Sequence, residues 1–282
     1  MTEYPRHAER HTASYPIHQR VGIVFFRQMA RAAGELFGEI GYRFLFLRET
    51  VRAFSEPRTY LPLTIKQMRN IGVDSLPLIG LVAAFIGAVS AYQTRYQLFP
   101  GATLSAVGLI VRQGILLELG PLLTALVLAG RVGARMTAEI GTMRVTEQID
   151  ALETLAYNPV AYLVVPRLLA AVTMLPLLTL LANAIGISAG FGMAVIATDI
   201  TATDFSEGLR LAFNMFQVFY GLIKATFFGA AIAFVSSYEG YVAESGAEGV
   251  GTATARAVVI TSVVILFLDA LTALYLAPLL QV

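Results

Sequence analysis

Residues 168–198 run for thirty-one positions without an Asp, Glu, Lys or Arg. A backbone passing through hydrocarbon must bond to itself, which leaves a helix or a closed barrel, and about twenty apolar residues make one helical crossing. This stretch exceeds one straight crossing, so tilt or protrusion is expected, with Pro176 a candidate kink. Four more windows share its character. Residues 75–94 (SLPLIGLVAAFIGAVSAYQT) are uncharged, 113–130 carry only Glu118, 211–238 only Lys224, and 257–282 only Asp269. The expectation is an all-α, polytopic integral membrane protein of five transmembrane helices, near 75–95, 108–131, 160–198, 211–238 and 256–280.

Composition agrees and narrows the function. Charged residues make up 14% of the chain, against roughly 25% in a soluble domain, too few to cover a soluble surface. A net charge of +1 supplies no basic face for nucleic acid. With no Cys, disulfides, thiolate metal sites and cysteine nucleophiles are excluded. With no Trp, the 12 Tyr must supply any interfacial aromatic belt. Small residues recur within spans, as in GISAG (Gly186 to Gly190) and FFGAA (ending Gly229-Ala230-Ala231), which suits close helix approach.

Residues 1–70 form a distinct, interfacial or cytoplasmic N-terminal region holding 11 of the 20 basic residues. Its first twenty residues are polar, with His7, His11 and His18, and read as a solvated tail rather than a secretory signal. Ala33, Leu36, Ile40, Phe44, Leu47, Val51 and Phe54 then recur at helical spacing among charged residues. That pattern reads as an amphipathic helix lying on a membrane, or as a helix of a small soluble domain. Ser55-Glu56-Pro57 should break it before a second short interfacial piece near 60–70. Basic residues favour the cytoplasm, so the N-terminus is placed inside. Five crossings then put 131–167 inside, 199–210 outside, 239–256 inside and the C-terminus outside.

The connection from Ala129 to Arg167 does not read as a plain loop. Thr146 is a candidate N-cap for EQIDALETL, in which Ile149, Leu152 and Leu155 share a face flanked by Glu147, Asp150 and Glu153. Asn158-Pro159 should end that helix and lead into the next span. A short amphipathic helix here either packs at the membrane surface or docks into a groove of a soluble partner. Both readings stand on the residues alone.

ELGPLLTALVLAGRVGARMTAEIGTMRVTEQIDALETLAYNPVAYLVVPRLLA resembles the signature of the MlaE/YrbE permease family. GLIKATFFGAAIAFVSSYEGYVAESGAEGVGTATARAVVITSVVILFLDALTALYL resembles the family's C-terminal half, so the likeness spans about 70–280. These are the membrane subunits of ABC-type lipid transporters that work with mammalian-cell-entry (MCE) proteins. The long basic N-terminus and alanine-rich sequence suit actinobacterial YrbE proteins, in which two different subunits pair. The resemblance implies a permease dimer, homo- or heteromeric, in a bacterial inner membrane. It makes Glu147, Gln148, Ile149, Asp150, Ala151, Leu152 and Glu153 the coupling helix that inserts into a cytoplasmic ABC ATPase dimer. It places MCE-domain partners on the outer face and a phospholipid, fatty acid or sterol-type lipid as substrate.

No enzyme chemistry is expected in this chain. No GxxxxGK[ST] loop, HExxH or nucleophile elbow occurs, so no cofactor is assigned to it, and ATP and Mg belong to the implied ATPase. The Gly-rich stretch ESGAEGVGTATAR, 244–256, reads as a cytoplasmic turn into the fifth span. Charges inside spans are expensive and mark function or a structural pair. Glu118 and Lys224, supported by Asp269, are candidates to line a lipid-headgroup cavity, with Arg112 near a span boundary. The competing reading is a Lys224–Asp269 bridge that only fixes packing. Arg131, Arg135 and Arg144, with Glu139, form a cytoplasmic cluster that pairs with Glu147, Asp150 and Glu153 or reaches anionic headgroups. A proton-coupled secondary transporter relaying through Glu118, Lys224 and Asp269, and a non-transporting membrane scaffold, are the alternative functions.

Overall fold

The computed structural model describes Gly38, residues 41–276 and residues 278–279. The chain divides into two units, 1–48 and 49–282. In the first, Gly38 and residues 41–48 are helical, and Phe44 and Leu47 are exposed. Ala33, Leu36, Ile40 and the three histidines fall outside the described residues.

The second unit begins with helical residues 49–53, on which Val51 is exposed. The break expected at Ser55-Glu56-Pro57 is present, and Pro57 starts α1 (Pro57–Ile71), where its missing N–H costs nothing. A 3-10 turn, Val73–Ser75, leads into α2 (Leu76–Gln97). Then follow α3 (Ser105–Val145), α4 (Gln148–Thr154), α5 (Pro159–Ala197), α6 (Ala202–Arg210), α7 (Phe216–Tyr241) and α8 (Gly246–Leu276). Among the described residues there is no strand. Five helical segments are long and apolar enough to cross a membrane: α1 with α2, α3, α5, α7 and α8.

Their ends differ from the sequence expectation in three places. The helix α3 does not stop near residue 131 but continues to Val145, 41 residues in all. At 1.5 Å per residue that is about 60 Å, twice a hydrocarbon core, so Arg131, Arg135 and Arg144 ride a helical extension rather than a loop. The Gly-rich stretch read as a turn is likewise helical from Gly246, whose φ of +90° makes the corner. Conversely, α7 begins at Phe216, because Leu211–Met215 form a tight connection with Ala212 at φ +51°. The 39-residue α5 runs unbroken through Pro166 and Pro176.

The central element is α5, which packs against α1, α2 and α7. It starts as the Asn-Pro pair suggested: Asn158 caps it by accepting from the N–H groups of Val160 and Ala161, and Pro159 is the first helical residue. Small residues set how closely its neighbours approach. A Cβ on Gly87 of α2 would run into the backbone of Gly186 in α5, and one on Gly229 of α7 would meet the backbone of Ala171. The main core joins Ile79, Leu128, Leu175, Phe228 and Ile265 from five helices. A second core lies where α6 seats Phe205 against Val107, Val111 and Phe191. The helix α6 falls in the stretch expected as an outer connection, and a capping box between Thr201 and Asp204 starts it.

Candidate functional site

The charge cluster is built on an irregularity of α3. Ile115–Leu119 form a π-helical turn, a wide turn that often marks functional positions. Pro121 follows, and a proline has no N–H to give the carbonyl four residues earlier, here that of Leu117. Lys224 of α7 donates to that carbonyl at 3.2 Å. It reaches it because Gly221, one turn earlier, lets α7 press against the Leu116 carbonyl, where a Cβ would be crowded out.

The same ammonium, fully buried, lies 2.6 Å from Glu118 Oε2 and 2.6 Å from Asp269 Oδ1 of α8. The contact to Glu118 is a hydrogen bond; the one to Asp269 is an ion pair. The Lys224 ammonium also sits 5.3 Å from the centre of the Tyr220 ring. All three residues singled out from sequence therefore meet, over sequence separations of 106 and 45 positions. Burial differs across the cluster. The Glu118 side chain is 44% exposed and that of Asp269 18%, so Glu118 is the member open to whatever occupies the adjoining space. The arrangement can present one carboxylate whose orientation is held by a buried cation. It cements α3, α7 and α8 in doing so.

At the far end of α3 the chain makes a corner into α4. The expected cap is not Thr146, whose hydroxyl donates back to the Thr142 carbonyl. Glu147 stands at the N-terminal boundary instead, in the left-handed region at φ +59° and without a side-chain cap bond. Two contacts hold α4. Ile149 is completely buried, and Arg144 Nη1 donates to Asp150 Oδ1 at 2.6 Å. Leu155 and Tyr157 are 68% and 52% exposed, while Glu147, Gln148, Ala151 and Glu153 also face outward. The result is a helix with one fully buried apolar residue, a half-buried Leu152 and one salt bridge, leading into an acid-flanked apolar surface turned away from the bundle.

The basic cluster divides its partners. Arg131 Nη1 donates to Ser75 Oγ at 2.6 Å, tying α3 to the turn before α2. Arg135 bonds Glu139 at 2.8 Å and lies 3.9 Å from Asp74. Of the acids on α4 only Asp150 is engaged by this cluster among the described residues, through Arg144.

The family described as Permease MlaE matches residues 64–275. The chain belongs to that family. A probable ABC transporter permease protein of Rickettsia prowazekii is 40% identical over 80% of this chain and 88% of its own length. The intermembrane phospholipid transport system permease protein MlaE of Haemophilus influenzae is 36% identical over 88% and 91%. A probable ABC transporter permease protein of Synechocystis is 40% identical over 73% and 78%. This MlaE-family chain is thus a multi-pass membrane permease of the ABC type, a class in which ATPase activity lies in a separate subunit.

Two charged contacts of this MlaE-family chain are not legible in its sequence. Arg167, 6% exposed in α5, donates to Glu139 of α3 at 3.2 Å and to the Leu163 carbonyl at 2.7 Å. Glu239 at the end of α7 is buried and pairs with Arg256 of α8 at 3.0 Å. Both lie near span ends, where charge is ordinary, so nothing in the sequence separates them from topological signals. Arg112, noted only as a boundary residue, is 3% exposed.

Proposed function

We propose that this chain is the membrane subunit of an ATP-driven phospholipid transporter in a bacterial inner membrane, working as a dimer with a cytoplasmic ABC ATPase and with MCE proteins outside. The Haemophilus relative, named for intermembrane phospholipid transport, supports the substrate class, and family membership supports the partners. In this reading α4 is the coupling helix, and the end of the bundle that carries it is cytoplasmic. The observation that carries it is the outward surface of Leu155 and Tyr157, just past the end of α4 and flanked by Glu147 and Glu153, beside a helix whose one fully buried residue is Ile149. Such a knob fits a groove with an apolar floor and basic rim. ATP-dependent movement of the groove would be passed to α3 and so to Glu118.

The test is co-purification with the co-expressed ATPase, followed by turnover in lipid nanodiscs. Glu147→Arg and Glu153→Arg, neither of which pairs with another described residue, should remove ATPase association or stimulated turnover while the permease still folds. Retained coupling in both variants would refute the assignment. Lipid movement driven by a proton gradient with an ATPase-dead partner would favour a secondary transporter instead.

A further inference from the structure

Three cations are buried among the described residues: Lys224, Arg167 and Arg112. The first two face carboxylates. Among the described residues Arg112 faces none. Its Nη1 donates to the Leu209 carbonyl at 2.5 Å and its Nη2 to the Ala212 carbonyl at 3.4 Å. Its guanidinium lies 5.3 Å from the centre of the Phe213 ring, and its Nε has no partner. A full positive charge is therefore offset only by partial charges, in a place where an unpaired ion is costly.

That guanidinium lines a cavity of about 560 Å³ between α3, α5 and the connection from α6 to α7, within the roughly 300–1,000 Å³ usual for ligand pockets. Leu116, Leu180, Ile187 and Phe213 supply apolar wall. The exposed Arg210 adds a second cation to the lining, also without a carboxylate among the described residues. Asn183, 3% exposed, contributes an amide whose oxygen and nitrogen are both unpartnered. Two positive charges, no negative one and an apolar body select an occupant that is anionic at one end and hydrocarbon at the other.

We propose that this cavity binds an acyl-chain amphiphile through its anionic headgroup, phosphate or carboxylate, with Arg112 as the counter-ion. The site is separate from the Glu118–Lys224–Asp269 cluster, and it rests on the lipid-permease reading only for where its occupant comes from. Arg112 holds the headgroup oxygens, Arg210 attracts them to the opening, and the chain lies along Leu180 and Ile187. A neutral lipid of the same chain length would leave the guanidinium unpaired and is disfavoured.

The full-length permease, purified in an uncharged detergent, is incubated with dioleoylphosphatidate, palmitate or dioleoylglycerol, and retained lipid is counted by native mass spectrometry. At least one anion should be retained about tenfold over dioleoylglycerol, the discrimination one charge-assisted contact provides. Phosphatidate alone assigns the phosphate, palmitate alone the carboxylate, and both together assign the shared anionic chemistry. Arg112→Gln should abolish the preference and Arg112→Lys should keep part of it. Leu180→Trp fills the cavity without touching Arg112 and should also lower anion retention; it decides alone if Arg112→Gln does not fold. Equal retention of all three lipids, or a preference untouched by Leu180→Trp, means surrounding bilayer lipid only and overturns the proposal. No ATPase or transport enters the assay, so a negative result leaves the proposed function standing.

Discussion

The Lys224 ammonium lies 2.6 Å from Asp269 Oδ1, joining α7 to α8, and shares its charge with Glu118 on α3 at the same distance. One buried cation thus serves two carboxylates. Removing it leaves both facing each other, and breaking a buried pair costs about 3–5 kcal/mol. Lys224→Met should therefore lower the melting temperature in detergent far more than Glu118→Gln, because the Glu118 side chain is 44% exposed. Exchanging Lys224 and Asp269 keeps their pair but sets a carboxylate against Glu118 and takes the donor from the Leu117 carbonyl. Calorimetry should find that double variant below wild type; full stability would sink the three-member description.

Ile149 is the one fully buried residue of α4, and its neighbour Asp150 is held by a salt bridge, which makes a contrast between the two. Ile149→Ala, at 0% exposure, should cost about 2–5 kcal/mol of local stability. Asp150→Asn breaks a pair whose side chains are 40% and 55% exposed, worth about 1 kcal/mol at most. Amide hydrogen exchange across 146–157 should accelerate strongly in the first variant and slightly in the second. Equal acceleration would mean that the salt bridge, not Ile149, holds the helix.

Packing of α2 on α5 predicts a position-specific effect of glycine. Gly87→Val should displace α2, since its side chain would meet the Gly186 backbone, whereas Gly192→Ala on α5 has open space around the new methyl. The first should reduce folded yield and melting temperature. The second should be neutral or stabilising by up to about 1 kcal/mol through helix propensity. Size-exclusion profiles and melts of the two variants distinguish these outcomes.

At the opposite end of α5, Arg95 donates two hydrogen bonds to Asp199, at 2.5 and 2.6 Å. The guanidinium holds the Asp199 carboxyl below its ordinary value. A lowered pKa in the folded state means that the pair stabilises above the unfolded carboxylate's pKa and is lost as pH falls through the folded one. Protection factors at 198–201, which divide out the intrinsic slowing of amide exchange in acid, should therefore fall on acidification, and Asp199→Asn should flatten that dependence. The effect is small because both side chains are solvent-accessible.

What could be read in advance follows from the contrast between charge and hydrocarbon. Glu118, Lys224 and Asp269 were conspicuous because each interrupts an otherwise apolar window. A Lys224–Asp269 bridge could be anticipated from them; that Lys224 holds Glu118, Asp269 and the Leu117 carbonyl at once could not, since it depends on Gly221 and Pro121 shaping two surfaces far apart in sequence. Apolar windows located five spans but not their ends, because α3 and α8 continue through Arg131–Arg144 and Glu248 after leaving the apolar stretch. The short α6 reads as a connection in the sequence, although Thr201 and Asp204 stand at capping-box spacing. Arg112 could not be recognised as unpaired, because pairing is a property of its neighbours' positions and not of its own.

One helix, α3, carries Arg112 near its start, Glu118 at its first wide turn, Arg131 at a second π-helical turn, Ala129–Gly133, and Arg144 beside the corner into α4. Stations that a jointed protein would distribute over several segments here sit along one shaft. A tilt imposed at the corner must be answered at every station, so signalling between the two ends of the bundle needs no chain of intermediaries. Variants that slacken either wide turn should then uncouple the ends while leaving each locally intact.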